Sequence, residues 1–275
     1  MKVANTKYGQ MMFPDNDNFT GRSLEKCGEA QSAEIDFLLD FVDPEGEDVF
    51  VDIGCGIGNV VVPMAKKIGS NGYVLAIEAS SFLYNTLCGN IALNHLGNVQ
   101  AFNRAATDNS NSHCYYPDLN PIAIMDYRDV SLSTLLNSED HLGRKRDQHV
   151  ATICLDDLRL ANPKMVKIDI SGMEMQALTG LKRTIQRANP YLFIRCKEPN
   201  QNIVNYVQSL GYDWEVHATP AWREDNFLRS PNIFEDEQDR AYLFCYPKDK
   251  KFESEFACPM SESDERWEAF QNLRD

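Results

Sequence analysis

Asp52, Gly54, Cys55, Gly56, Gly58, Asn59, Glu78 and Asp169 are the residues of this chain whose types and spacing could do chemistry. Three glycines at alternate positions let the backbone turn with φ > 0 and pass close to a ligand where a Cβ would collide. Val60, Val61, Val62, Met64 and Ala65 follow as an apolar run of helical character, whose first N–H groups would face something negatively charged. Pro63 is tolerable there because few backbone bonds are lost near a helix start. The spacing is G-x-G-x-G with Asp52 two residues upstream, not the dinucleotide G-x-G-x-x-G. That form suits S-adenosylmethionine (SAM), with S-adenosylhomocysteine as the product. Glu78 lies roughly 20 residues beyond the turn, where an acidic side chain accepts both ribose hydroxyls. A glycine turn and a surface glutamate with no ligand is the plain alternative.

These residues need strands to hold them. Val49, Phe50, Val51 and Ile53 read as a buried central strand, and Tyr73 to Ile77 as the next one, ending in Glu78 and Ala79. Ser80 to Asn94 reads as a helix stopped by Gly97. Val99 to Phe102 is a third strand with Asn103, Arg104 and Ala105 at its carboxyl end, where ligands lie in a sheet wound this way; these three are candidates to border the adenine. Met165 to Ile170 is a further strand. Asp169 near its end is a carboxylate that is costly unless paired or used, and it is the candidate general base or polar anchor beside the methyl group.

Composition bounds the class. With 275 residues, 43% of them hydrophobic, the chain can bury one large α/β core. Neither a leader pattern nor a membrane-spanning run is evident, so a cytoplasmic protein is expected. The eight cysteines include no CxxC pair and are read as reduced small hydrophobes. A net charge of −14 argues against a nucleic-acid partner.

Around this core, residues 1–47 read as an arm and lead-in helix, 48–250 as the main domain, and 251–275 as an acidic tail with a helix from Glu262 to Arg274. The arm either covers the cofactor or packs only outside. The tail docks on the body or on a second subunit of a homodimer. From Asp108 to His149 the pattern weakens to loop, including Tyr115-Tyr116-Pro117 and the basic run Leu142 to Arg146. Trp222, Asn226, Phe227 and Asn232 form either a substrate wall or packing filler. His113, His141, His149 and His217 are rival bases. A divalent cation on Asp156, Asp157 and Asp169 is a lesser alternative, and no metal is expected.

Val51 to Gly54, Glu78, Asn90 to Asn94, and above all Val166 to Glu174 with Leu178 and Gly180 resemble the FkbM family of SAM-dependent methyltransferases. Tyr8-Gly9, Gly21 to Ser23, Gly28-Glu29, Asp225 to Phe227 and Asn232 to Phe234 extend the likeness to about Pro247. The resemblance implies a Rossmann-like class I methyltransferase fold: a seven-stranded, mostly parallel sheet, an antiparallel last strand inserted between its two predecessors, and helices on both faces. It further implies O-methylation of a hydroxyl on a small molecule, glycan or lipid. Two positions depart from the family pattern, Ser171 in place of Glu and Arg195 in place of an acidic residue. Those losses motivate the alternative of an inactive SAM-binding relative that serves as a partner-binding module.

Overall fold

The computed structural model describes residues 1–116, 123–130, 148–234, 239–250 and 252–273. The strands in chain order are β1 (Lys2–Thr6), β2 (Gly9–Phe13), β3 (Val49–Ile53), β4 (Tyr73–Glu78), β5 (Val99–Asn103), β6 (Ala105–Ala106), β7 (His113–Tyr116), β8 (Gln148–Ile153), β9 (Met165–Ile168), β10 (Tyr191–Arg195), β11 (Tyr212–Thr219) and β12 (Arg240–Pro247). Seven of them form one sheet in the order β11-β12-β10-β9-β3-β4-β5. Only β12 runs antiparallel, between β10 and β11. This is the expected Rossmann-like architecture. From β3 the chain winds outward through β4 and β5, then returns to place β9 on the other side of β3. The order reverses between β3 and β9, which opens a crevice at their carboxyl ends.

Burial on both faces explains the unbroken apolar strands. Val49, Val51 and Ile53 join one core, while Phe50 joins the other with Val61, Met64 and Phe193. Helix α2 (Ser32–Leu39), read in the sequence as the lead-in helix, sets Phe37 against Phe193, Phe244 and His217. Helix α3 (Val61–Ile68) begins just before Pro63, as expected.

The arm packs on the outside of the body and also contributes residues to the crevice. Its hairpin packs outside on α4 (Ser81–Leu93), where the fully buried Asn90 amide accepts from Met12 N at 2.6 Å and donates to Met12 O and Ile57 O. Residues farther along the arm reach the crevice. Three expectations need correction. Tyr115 and Tyr116 are not loop but strand β7, paired with β8 in a small three-stranded sheet with β6. Helix α4 is stopped not by Gly97 but at Asn94, followed by His95 at φ +54, so the left-handed turn comes two residues earlier. The C-terminal helix covers only Trp267–Gln271; Phe270 and Leu273 bury its apolar side in the body's own core. Pro117, Asn120-Pro121, His141, the Leu142 to Arg146 run and Arg274 lie outside the described residues.

No helix among the described residues is long and apolar enough to cross a membrane. Of the rival bases, His113 and His149 are exposed. His217 is fully buried among Phe37, Phe193 and Phe244, with Cys258 N donating to its Nδ1 at 3.4 Å. Burial pushes its imidazole down to about 4. A pKa below the unfolded value of 6.5 means that stability is complete above pH 6.5 and is lost as pH falls toward 4. We expect thermal melts to show a loss of about 2 kcal/mol at pH 5 from this group. His217→Phe should flatten that part of the profile; an unchanged profile would show that His217 is not the titrating group.

Candidate active site

The glycine turn is set by what each Cβ would strike. Gly54 has φ +79, and a Cβ there would lie 2.1 Å from Asp169 O, so this glycine admits the neighbouring strand end. Gly58 has φ +89 and admits Leu87 of α4. Only Gly56, at φ +56 with nothing within 4 Å of its notional Cβ, leaves room for a ligand. Its N–H donates to Glu78 Oε2 at 2.8 Å, and Ser80 N donates to Oε1 at 2.8 Å. Burial pushes the Glu78 carboxyl up to about 7 against those two hydrogen bonds.

A cleft with about 1020 Å³ of empty space, part of it open solvent, lies at these strand tips. Of the candidate site residues, Gly54, Cys55, Gly56, Asn59, Glu78, Ala79, Arg104, Ala105 and Asp169 line it. Asp52, Gly58 and Asn103 do not. Asp52 is fully buried beneath the floor, and Asn103 closes the β4 to α4 turn by donating to Glu78 O and Ala79 O. Asp17 and Thr20 of the arm, Tyr127 and Arg128, and Ser171 and Arg240 also line the cleft. Segments 16–18 and 123–127 are stitched together above it: Asn18 N donates to Met125 O, and Met125 N to Asn16 O.

Under the cleft, Lys167 is 2% exposed and lies opposite Asp52 in the β3 to β9 register. Its Nζ is 3.3 Å from Asp52 Oδ1, 3.4 Å from Asp169 Oδ2 and 3.8 Å from Glu34 Oε1. Burial alone would depress the ammonium, but the carboxylates outweigh it and raise its pKa. Burial lifts Asp52 to about 6 despite Lys167. At Asp169 burial acts the same way, yet the charges of Arg240 and Lys167 prevail and hold it at about 2. Arg240 Nη2 reaches Asp169 Oδ2 at 2.5 Å.

The Methyltransferase FkbM domain matches residues 52–224, more than half of the chain and the whole span from Asp52 through the lysine-bearing strand. The chain belongs to the FkbM methyltransferase family. Methyltransferase FkbM from Methylobacillus flagellatus KT is a structural neighbour with TM-score 0.48 and 18% identity, covering 72% of this chain and 43% of that one. Nocamycin O-methyltransferase of Saccharothrix syringae is 36% identical over 62 residues, 22% of this chain and 22% of that protein. The 23S rRNA (uracil(1939)-C(5))-methyltransferase RlmD of Acinetobacter baylyi is 32% identical over 71 residues, 26% of this chain and 15% of that protein. The chain thus spans well under two thirds of the curated relatives it matches.

In this member of the FkbM family, sequence reasoning missed Gln31, Tyr116, Arg128, Lys167 and Arg240 as cleft residues. The signal for Lys167 was present: a lysine in an otherwise apolar central strand, facing an aspartate in the adjoining one. Arg240 opens a buried strand in the same way. The Trp222 to Asn232 loop is no wall of the cleft; it clasps the arm, with Phe227 N donating to Glu29 Oε2 and Leu228 N to Cys27 O. Asp156 is taken up by Thr184 N, Thr184 Oγ1 and Arg183 N, and Asp157 by Ser110 Oγ, so neither joins Asp169. No group of three or more His, Cys, Asp or Glu among the described residues is arranged to hold a metal ion.

Removing the Lys167 ammonium leaves Asp52 and Glu34 facing each other without a cation. Lys167→Met should therefore cost about 3–5 kcal/mol, measured by denaturant unfolding. A loss below about 1 kcal/mol would mean that the cluster neutralises itself by taking up a proton.

Proposed function

We propose that this chain is a SAM-dependent O-methyltransferase whose cofactor lies across the tips of β3 and β4 and whose hydroxyl acceptor, on a small molecule, sugar or lipid, enters over β9. The observation that carries the reading is the joint placement of Gly56 and Glu78: a side-chain-free backbone cradle beside a desolvated carboxylate that already accepts two N–H bonds and has lone pairs left for two ribose hydroxyls. The cradle fits the group, since a Cβ at Gly56 would fill the space it offers. When bound, SAM supplies an electrophilic methyl on a sulfonium.

The chain's own residues align the acceptor, exclude water and take a proton. Asp169 is ionised at every working pH and held by two cations. It is therefore a poor proton acceptor and a good anchor for the acceptor hydroxyl. Asp17 is a further carboxylate of the cleft lining, 6% exposed, and burial raises its pKa against the N–H bonds of Phe19 and Gly21. It is the better base of the two, because a general base works best as its pKa nears the operating pH. Arg104 and Ala105 border the adenine end.

Two measurements test this. Calorimetry with SAM and S-adenosylhomocysteine should show affinity that falls about tenfold per pH unit below about 7, because binding requires the Glu78 carboxylate. Glu78→Gln should bind weakly and lose that slope. Methyl-labelled SAM offered with hydroxylated sugars, polyketides and lipid headgroups should transfer label to oxygen in one class. Asp17→Asn should slow transfer at least 100-fold with cofactor affinity kept, whereas binding without transfer to any acceptor would favour the partner-binding alternative.

A further inference from the structure

A chain of side-chain hydrogen bonds crosses the floor of the cleft, and its donors and acceptors can be assigned from one end. Arg240 can only donate, and its Nε reaches Tyr242 Oη at 2.9 Å. The Tyr242 proton is thereby committed to Glu34 Oε2. A carboxylate already receiving that proton accepts again from Gln31, so the atom at 2.8 Å from Glu34 Oε2 is Gln31 Nε2. Gln31 Oε1 then faces Asn59 Nδ2 at 2.5 Å. The last atom in the series is Asn59 Oδ1, which is buried and has no hydrogen-bond partner among the described residues. Asn59 is 6% exposed and lines the cleft beside the glycine turn, and Gln31 lines it too. Asp52 Oδ2 and Glu34 Oε1 also lack a hydrogen bond among the described residues, but they lie beside the Lys167 ammonium and their residues do not line the cleft. Among the described residues that line the cleft, the unsatisfied buried side-chain atom is thus an acceptor, Asn59 Oδ1.

A carboxylate brought to Asn59 Oδ1 would meet an oxygen lone pair, whereas an ammonium would satisfy it. Leaving such an acceptor unmade is costly. The backbone supports the same conclusion: Gln31 holds φ +55, a left-handed conformation that side-chain-bearing residues rarely adopt and that persists at functional sites. We infer that Gln31 and Asn59 form a primary-ammonium subsite that recognises the α-amino group of the cofactor, so that the arm selects cofactors carrying a free amine. This rests on the SAM reading and adds to it a residue outside the matched domain, since Gln31 precedes position 52.

The test compares S-adenosylhomocysteine with its deaminated analogue, in which hydrogen replaces the amine, by calorimetry on the full chain. The wild type should prefer the amine at least tenfold. Gln31→Gly removes the amide while allowing the left-handed backbone, so the protein should stay folded. Its preference should fall below threefold, through weaker binding of the amine with affinity for the deaminated analogue kept within twofold. Asn59→Leu, read in the same way, serves if Gln31→Gly does not fold. Equal binding of the two compounds by the wild type, an unchanged preference in the variants, or a parallel loss for both compounds would overturn the subsite. Failure of both compounds to bind the wild type would instead overturn the SAM reading.

Discussion

The Lys167 ammonium is the constraint to which the two sides of the crevice are tied. It sits where the strand order reverses, in a strand whose other residues are apolar, and draws in Asp52 from β3, Asp169 from the end of β9 and Glu34 from α2. Three carboxylates around one buried ammonium would repel one another without it. With it, three separate stretches of chain acquire a common point, and the spacing between the β3 and β9 tips is set by ion pairs as well as by the ladder. Gly54 completes the arrangement, since it lets the Asp169 carbonyl approach where a side chain would hold it off.

From that point the cleft divides into two electrostatic halves. On the β4 side Glu78 is desolvated and has no ion pair among the described residues, and burial pushes its carboxyl up to about 7. On the β9 side the Asp169 side chain is also largely buried, at 10% exposed, but Arg240 and Lys167 hold it at about 2. Two carboxylates in one cleft thus have opposite shifts, and such divergence assigns different work to chemically identical groups. One is suited to hydroxyls that must find a receptive oxygen, the other to holding a fixed charge.

The arm is joined to the body by side-chain amides and backbone groups, not by a large apolar seam alone. Asn90 and Asn94 of α4 bind the edge of β2, and the segment after β11 binds residues 26–29. Asn90 also donates to Ile57 O within the glycine turn, so one side chain couples the hairpin to the cofactor cradle. This accounts physically for an asparagine on the buried face of an otherwise apolar helix.

The sheet, its central strands, the glycine turn, Glu78 and Asp169 were legible in the chain because local patterns carry them: apolar runs, glycine spacing, and a carboxylate at a strand end. The opposite was true of Asp52. Its position beside the turn pointed to the ligand, yet side chains alternate along a strand, and only the assembled sheet shows that it faces Lys167 beneath the floor. Gln31, Arg128 and Arg240 lie far from the turn in sequence and meet it through non-local packing that no local pattern encodes. Strand β7 was hidden because its partner is β8, more than thirty residues later. Residue types determined which groups could be charged and where the backbone could turn; tertiary structure alone decided which charges were desolvated, which were paired, and therefore which carboxylate could take up a proton.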